Sequence, residues 1–244
     1  MKRSTLSLTL LFSILCASAA PRETLASNQS AQKLKTTQKK SIDIDYLLYL
    51  PDDYKKNSNK KYPLLLFLHG AGERGHDINK VRAHGPPKKI DEGESFPFIV
   101  ASPQCPPDSW WDPDELLLLI ETLEKEYRID PSRIYVTGLS MGGYGTWELA
   151  TKFPEKFAAI APICGGGKAW LAARRLQDTP IWVFHGAKDQ AVALSESQEM
   201  VDALKKKGHQ NLKFTVYPEA AHDSWTESYN NPDLYSWLLS HKKS

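Results

Sequence analysis

The sequence predicts an α/β chain built on a mostly parallel sheet with helices on both faces. Short, largely apolar runs recur between turn residues, at Tyr62–Leu68, 98–102, 133–137, 157–163, 181–184 and Leu212–Tyr217. Runs of that length suit strands buried on both faces, as in a parallel sheet. Helical patterns lie between them, and strand–helix alternation implies right-handed crossovers that cover the sheet on both sides. In such sheets a site forms at the C-terminal ends of the strands, and that rule selects which residues to weigh.

The chain opens with Lys2 and Arg3, an apolar stretch over residues 6–15 and Ala17-Ser18-Ala19. A basic start, a short apolar core and a small-x-small cleavage site are the three parts of a secretory signal, and the apolar part is too short to span a bilayer. We therefore expect a signal peptide over 1–19 and an exported protein, periplasmic or extracellular. Cys16 invites lipid anchoring, but bulky Leu15 stands where a lipidation site has a small residue. Residues 20–40 are polar and basic (Arg22, Lys33, Lys35, Lys39, Lys40) and read as a linker. One folded domain is expected over 41–244.

Within that domain Ile42, Ile44, Tyr46, Leu48 and Leu50 alternate as in a half-buried strand. Asp112-Pro113-Asp114-Glu115 combines an N-cap, a proline at the first helical position and acids in the first turn. Leu116, Leu119, Ile120, Leu123 and Tyr127 then share one helical face. Ser195 with Gln198 fits a capping box, followed by Met200, Val201 and Leu204 and closed by Gly208. Leu234, Trp237 and Leu238 mark a C-terminal helix.

Charge and composition exclude several classes of function. The formal charge of +2 comes from the N-terminal segments, so the folded part is mildly acidic and does not favour nucleic acid. No later apolar run is long enough for a membrane span. The seven histidines are scattered without ligand spacing, and Gly165-Gly166-Gly167 does not fit a dinucleotide loop. Neither a metal nor a cofactor is expected. Export would put Cys105 and Cys164 in an oxidising medium, which leaves a disulfide and two buried thiols both open.

Chemistry concentrates at Gly138-Leu139-Ser140-Met141-Gly142. It lies between a strand and a helical pattern over 143–152, the context a nucleophile elbow needs. A serine on so sharp a turn is lifted above the sheet, and glycines on either side let the chain pass close by. Serine needs a base to take its proton. His222 follows the last strand and lies at the correct edge, whereas His209 precedes that strand and His185 sits in a strand end. His76, His84 and His241 fall out of the required order of serine, acid, histidine. Asp189 follows the penultimate strand and suits the acid that orients the base. Asp178 is at the wrong end of that strand, and Asp202 lies inside a helix. The backbone N–H groups of Met141 and of Ala71, in the loop His69-Gly70-Ala71-Gly72, are the expected oxyanion donors.

These segments resemble a known group. Its motifs are His69-Gly70-Ala71-Gly72-Glu73-Arg74-Gly75, Ser102-Pro103-Gln104-Cys105-Pro106, Gly138-Leu139-Ser140-Met141-Gly142-Gly143, His185-Gly186-Ala187-Lys188-Asp189 and His222-Asp223-Ser224-Trp225. They are similar to bacterial exported esterases of the α/β-hydrolase fold, in the dienelactone hydrolase, phospholipase/carboxylesterase and feruloyl or acetylxylan esterase group. Such proteins are also labelled prolyl-oligopeptidase-like or polyhydroxybutyrate depolymerase-like. The resemblance runs from about Tyr46 onward and implies Ser140, Asp189 and His222 as a catalytic triad with Ala71 and Met141 as oxyanion donors. It implies a serine carboxylic ester hydrolase working through an acyl-enzyme, on a small-molecule or polymer-attached ester. A serine peptidase of the prolyl-oligopeptidase type and a non-catalytic binding protein on the same fold are the alternatives. Two departures stand out: Ala191-Val192-Ala193 where the group has Val-Pro, and Ala221 where it has glycine.

Residues 165–179 are about fifteen, too few for an independent lid, so an open cleft without a separate lid domain is expected. Trp110, Trp111 and Trp225 all fall on the site face and suggest an aromatic wall for substrate, with loop packing as the alternative. Glu73, Arg74, Asp77, Lys88 and Lys89 read as a solvated loop rather than a substrate clamp.

Overall fold

The computed structural model describes residues 42–56 and 59–243. The expected signal peptide, the linker and Cys16 lie outside the described residues.

Seven strands form one sheet, in the order β1-β3-β2-β4-β5-β6-β7. They are β1 (Tyr46–Tyr49), β2 (Tyr62–Leu68), β3 (Ile99–Pro103), β4 (Ile129–Leu139), β5 (Ala159–Ile163), β6 (Ile181–Gly186) and β7 (Leu212–Tyr217). Only β1 runs antiparallel, pairing Tyr46 with Pro103 and Tyr49 with Val100 at the edge; the other pairings are parallel. The helices are α1 (Gly85–Asp91), α2 (Pro113–Glu126), α3 (Met141–Lys152), α4 (Ala169–Arg175), α5 (Leu194–Lys206), α6 (Trp225–Asn230) and α7 (Pro232–Leu239).

Side chains alternate across a strand, and β2 shows the result. Leu64, Leu66 and Leu68 join one core with Trp147 of α3, Ala172 of α4 and Met200 of α5. Leu65 and Phe67 join the other, with Tyr229 of α6 and Leu234 of α7. Every residue of β2 is buried, so its unbroken apolar run follows from having helices on both faces.

Several boundaries differ from expectation. The alternating stretch 42–50 is strand only over β1, because pairing with β3 begins at Tyr46. β6 extends through His185 and Gly186, which pair with Val216 and Tyr217. The capping box at Ser195 does not form. Helix α5 starts two residues earlier than that box requires, after Ala193 with no side-chain cap, so Ser195 lies inside the first turn. Gln198 reaches Asp202 instead (2.8 Å). Asp112 does cap α2, accepting from the Asp114 N–H.

Candidate functional site

Ser140 sits between β4 and α3 with φ 52° and ψ −117°, a conformation that non-glycine residues hold only when their surroundings enforce it. The surroundings are main chain. A Cβ at Gly142 would run into Leu68 O, and one at Gly138 into Gly142 O. The Ser140 N–H is fixed to Ile163 O at 3.0 Å, across to β5. Glycines are therefore required on both sides of the serine.

His222 arrives from the loop after β7 and Asp189 from the loop after β6. His222 Nδ1 lies 2.8 Å from Asp189 Oδ2, and His222 Nε2 lies 3.0 Å from Ser140 Oγ. With the Nδ1 proton donated to the carboxylate, Nε2 is free to accept from the Ser140 hydroxyl. The structure thus brings the three expected residues into one hydrogen-bonded line. Asp189 is further held by the Ala191 and Val192 N–H groups, both donating to Oδ1 at 2.9 Å. Burial raises its pKa, but the hydrogen bonds from His222, Val192 and Ala191 outweigh that and leave it lowered. The Ala191-Val192 departure therefore leaves the acid with two main-chain donors.

The first N–H groups of any helix have no acceptor within it. Met141 is the first residue of α3, and Ala71 the first of a short 3-10 helix, Ala71–Glu73. Their N–H groups belong to that set, at the C-terminal ends of β4 and β2.

The loop that carries Ala71 rests on residues the sequence reading did not pick as functional. His69 is wholly buried. Its Nδ1–H donates to Gly70 O (2.6 Å), and its Nε2 accepts from the Cys105 N–H (3.0 Å). Burial pushes its pKa down to about 4, so it stays neutral. Glu73 accepts from the Gly70 N–H at 2.9 Å. Gln104 donates to Glu73 O and Asp77 O, and Arg74 to Ala71 O and Ser109 O. Glu73 and Arg74, read from sequence as a solvated loop, are internal braces. The motif segments around them were visible in sequence; the contacts were not, some closing the loop on itself three positions apart and others reaching it from about thirty to forty positions away.

His185 is a second such residue. Its Nε2 bonds Val192 O at 2.9 Å and stands 3.3 Å from Asp189 Oδ2. Its Nδ1 meets Ser197 Oγ, which donates to Gly165 O. It ties the acid loop to α5 and to the loop after β5.

The three tryptophans part company. Trp111 is only 5% exposed; its indole donates to His69 O at 3.2 Å, and its ring lies edge-on to His69. It braces the Ala71 loop and does not wall the cleft. Trp225 packs edge-on to His222 and to His84. Trp110 is 53% exposed with its ring against Tyr144.

Cys105 and Cys164 are buried free thiols, which settles the open disulfide question: β2 and β4 stand between the strands they follow. Burial pushes their pKa values up to about 11 and about 12. Cys164, Asp189 and His222 are the one trio among the described residues with potential metal-ligating atoms within 4.8 Å of one another. The acid and histidine are engaged with each other and the thiol stays protonated, so the trio does not fit a metal. Among the described residues no helix is long and apolar enough to cross a membrane.

Sheet order, strand-end serine and helix placement define an α/β-hydrolase fold. Residues 113–235 match the dienelactone hydrolase family, and the chain belongs to that family. It is 27% identical over 201 residues to a bifunctional acetylxylan esterase/xylanase of Neocallimastix patriciarum, covering 79% of this chain and 28% of that protein. It is 28% identical over 127 residues to a probable feruloyl esterase C of Aspergillus terreus, covering 50% of this chain and 46% of that one. A thermostable esterase of known structure superposes with a TM-score of 0.70 at 38% identity, over 83% of this chain and 60% of its own. The chain thus spans less than two thirds of each of these proteins.

Proposed function

We propose that the chain hydrolyses carboxylic esters through an acyl-enzyme on Ser140. The observation that carries this reading is the line Ser140–His222–Asp189, with separations of 3.0 and 2.8 Å. His222 Nε2 takes the hydroxyl proton as Ser140 Oγ attacks the ester carbonyl. The carbonyl oxygen gains negative charge, and the Met141 and Ala71 N–H groups hold it. His222 gives the proton to the departing alkoxide, the C–O bond breaks, and the acyl group stays on Ser140. Water, deprotonated by the same nitrogen, attacks the acyl carbonyl and releases the acid and a restored serine. Asp189 keeps the Nδ1 proton in place and stabilises the imidazolium.

Relatives named as acetylxylan and feruloyl esterases support an ester carried on a bulky or polymeric alcohol as the substrate class. Export, read from residues 1–19, fits such a substrate. The test is turnover of p-nitrophenyl acetate and butanoate by wild type and Ser140→Ala. The reading expects kcat to fall by a factor on the order of 10⁶. Equal rates would remove Ser140 as nucleophile, and faster turnover of proline-containing amides than of esters would favour a peptidase.

A further inference from the structure

A groove of about 570 Å³ opens along α3 and α4, within the size range of small-molecule sites. Trp110, Tyr144, Trp147 and Leu171 give it an apolar stretch, and Glu148, Lys152, Lys168 and Arg175 add charged side chains to its lining. Its near end is one helical turn from the nucleophile, since the Tyr144 N–H donates to Ser140 O at 3.1 Å. Its far end reaches Thr151, about 10 Å further along α3 at 1.5 Å per residue. Burial, and then the Glu196 carboxylate, push the Tyr144 hydroxyl up to about 12, so this end carries no phenolate. Two of the large apolar side chains left exposed, Trp110 at 53% and Trp170 at 63%, stand at its edge and on the neighbouring first turn of α4.

The position of the base decides which half of an ester can enter. The departing oxygen must reach His222 Nε2 to collect its proton. His222 is flanked by Trp225 and His84, and Trp225 packs with the α6–α7 core. Groove residue Trp147 belongs to the opposite core, with α4 and α5. Ser140 stands between, so the alcohol lies on the Trp225 side and the acyl group on the groove side. We propose that this groove is the acyl subsite and that it selects apolar acyl groups about as long as octanoyl over acetyl. The proposal rests on the acyl-enzyme reading above.

Two series of esters test it. One holds p-nitrophenol constant and lengthens the acyl group from acetyl to octanoyl; the other holds acetyl constant and enlarges the alcohol from methyl to benzyl. Leu171→Trp fills the groove and Trp110→Ala removes one wall. In both variants the octanoyl-to-acetyl ratio of kcat/KM should fall on the order of tenfold, with the benzyl-to-methyl ratio kept within about twofold. An unchanged acyl ratio overturns the proposal, and a shift in the alcohol ratio instead overturns its orientation. Octanoate binding to Ser140→Ala, followed by tryptophan fluorescence, reads the groove without turnover. Saturable quenching that Leu171→Trp weakens supports it, and no quenching overturns it. If wild type cleaves no ester yet octanoate binds, the catalytic reading fails and the groove stands.

Discussion

The turn that carries Ser140 and the loop that carries Ala71 lie at neighbouring strand ends of the candidate site and are built by opposite means. Main chain holds the first: a strained φ at Ser140, glycines that admit Leu68 O, and a hydrogen bond to Ile163 O. Side chains from three segments hold the second: His69 from the end of β2, Glu73 from the loop itself, and Gln104 and Trp111 from beyond β3. A turn enforced by main chain tolerates almost no substitution within a few residues. A loop enforced by side chains fails in degrees, and each brace can be removed separately.

The largest expected effect is therefore at Gly142. Gly142→Ala places a methyl against the Leu68 carbonyl, and no flexible side chain can yield there. We expect a loss of stability above about 4 kcal/mol, read by urea unfolding, or no soluble protein. A folded variant with wild-type stability would show that the turn relaxes, and would erase the contrast.

His69 comes next. Its folded pKa is depressed from 6.5 to about 4, so between those values the unfolded chain binds a proton that the folded chain refuses. Stability from this group is complete above pH 6.5 and is lost as pH falls towards 4, by about 3 kcal/mol in all. Urea unfolding of wild type and His69→Gln at pH 7 and pH 4.5 should show a smaller acid loss in the variant. Parallel losses would mean that His69 does not carry the acid sensitivity.

The smallest effect on folding, and a clear one on rate, is expected at Glu73. Glu73→Ala frees the Gly70 N–H and lets the Ala71 donor drift. A misplacement near 1 Å costs up to about 10² in rate. kcat should fall more than KM rises, with a melting shift of only a few degrees. Unchanged kcat would detach this loop from the oxyanion.

The same contrast explains what was legible in the sequence. The apolar runs of β2, β4 and β5 and the motif around Ser140 are local, and strand ends in serine–acid–histidine order were enough to pick Asp189 and His222. Trp111 stayed open between cleft wall and loop packing because a tryptophan beside the site can face either way, and the His69 carbonyl decides for packing. Glu73 and Arg74 looked solvated because their partners lie in or across folded loops. The Ser195 capping box failed because the backbone at Ala193 started the helix early. The free state of Cys105 and Cys164 depended on strand order, which no local pattern records.

The central claim is that His222 and Asp189 activate Ser140 as a nucleophile. Labelling with a fluorophosphonate, followed by intact mass and peptide mapping, tests it most directly. The account predicts one adduct per chain, mapped to Ser140, absent from Ser140→Ala and strongly slowed in His222→Ala. An adduct on another residue, or equal labelling of Ser140→Ala, would contradict it.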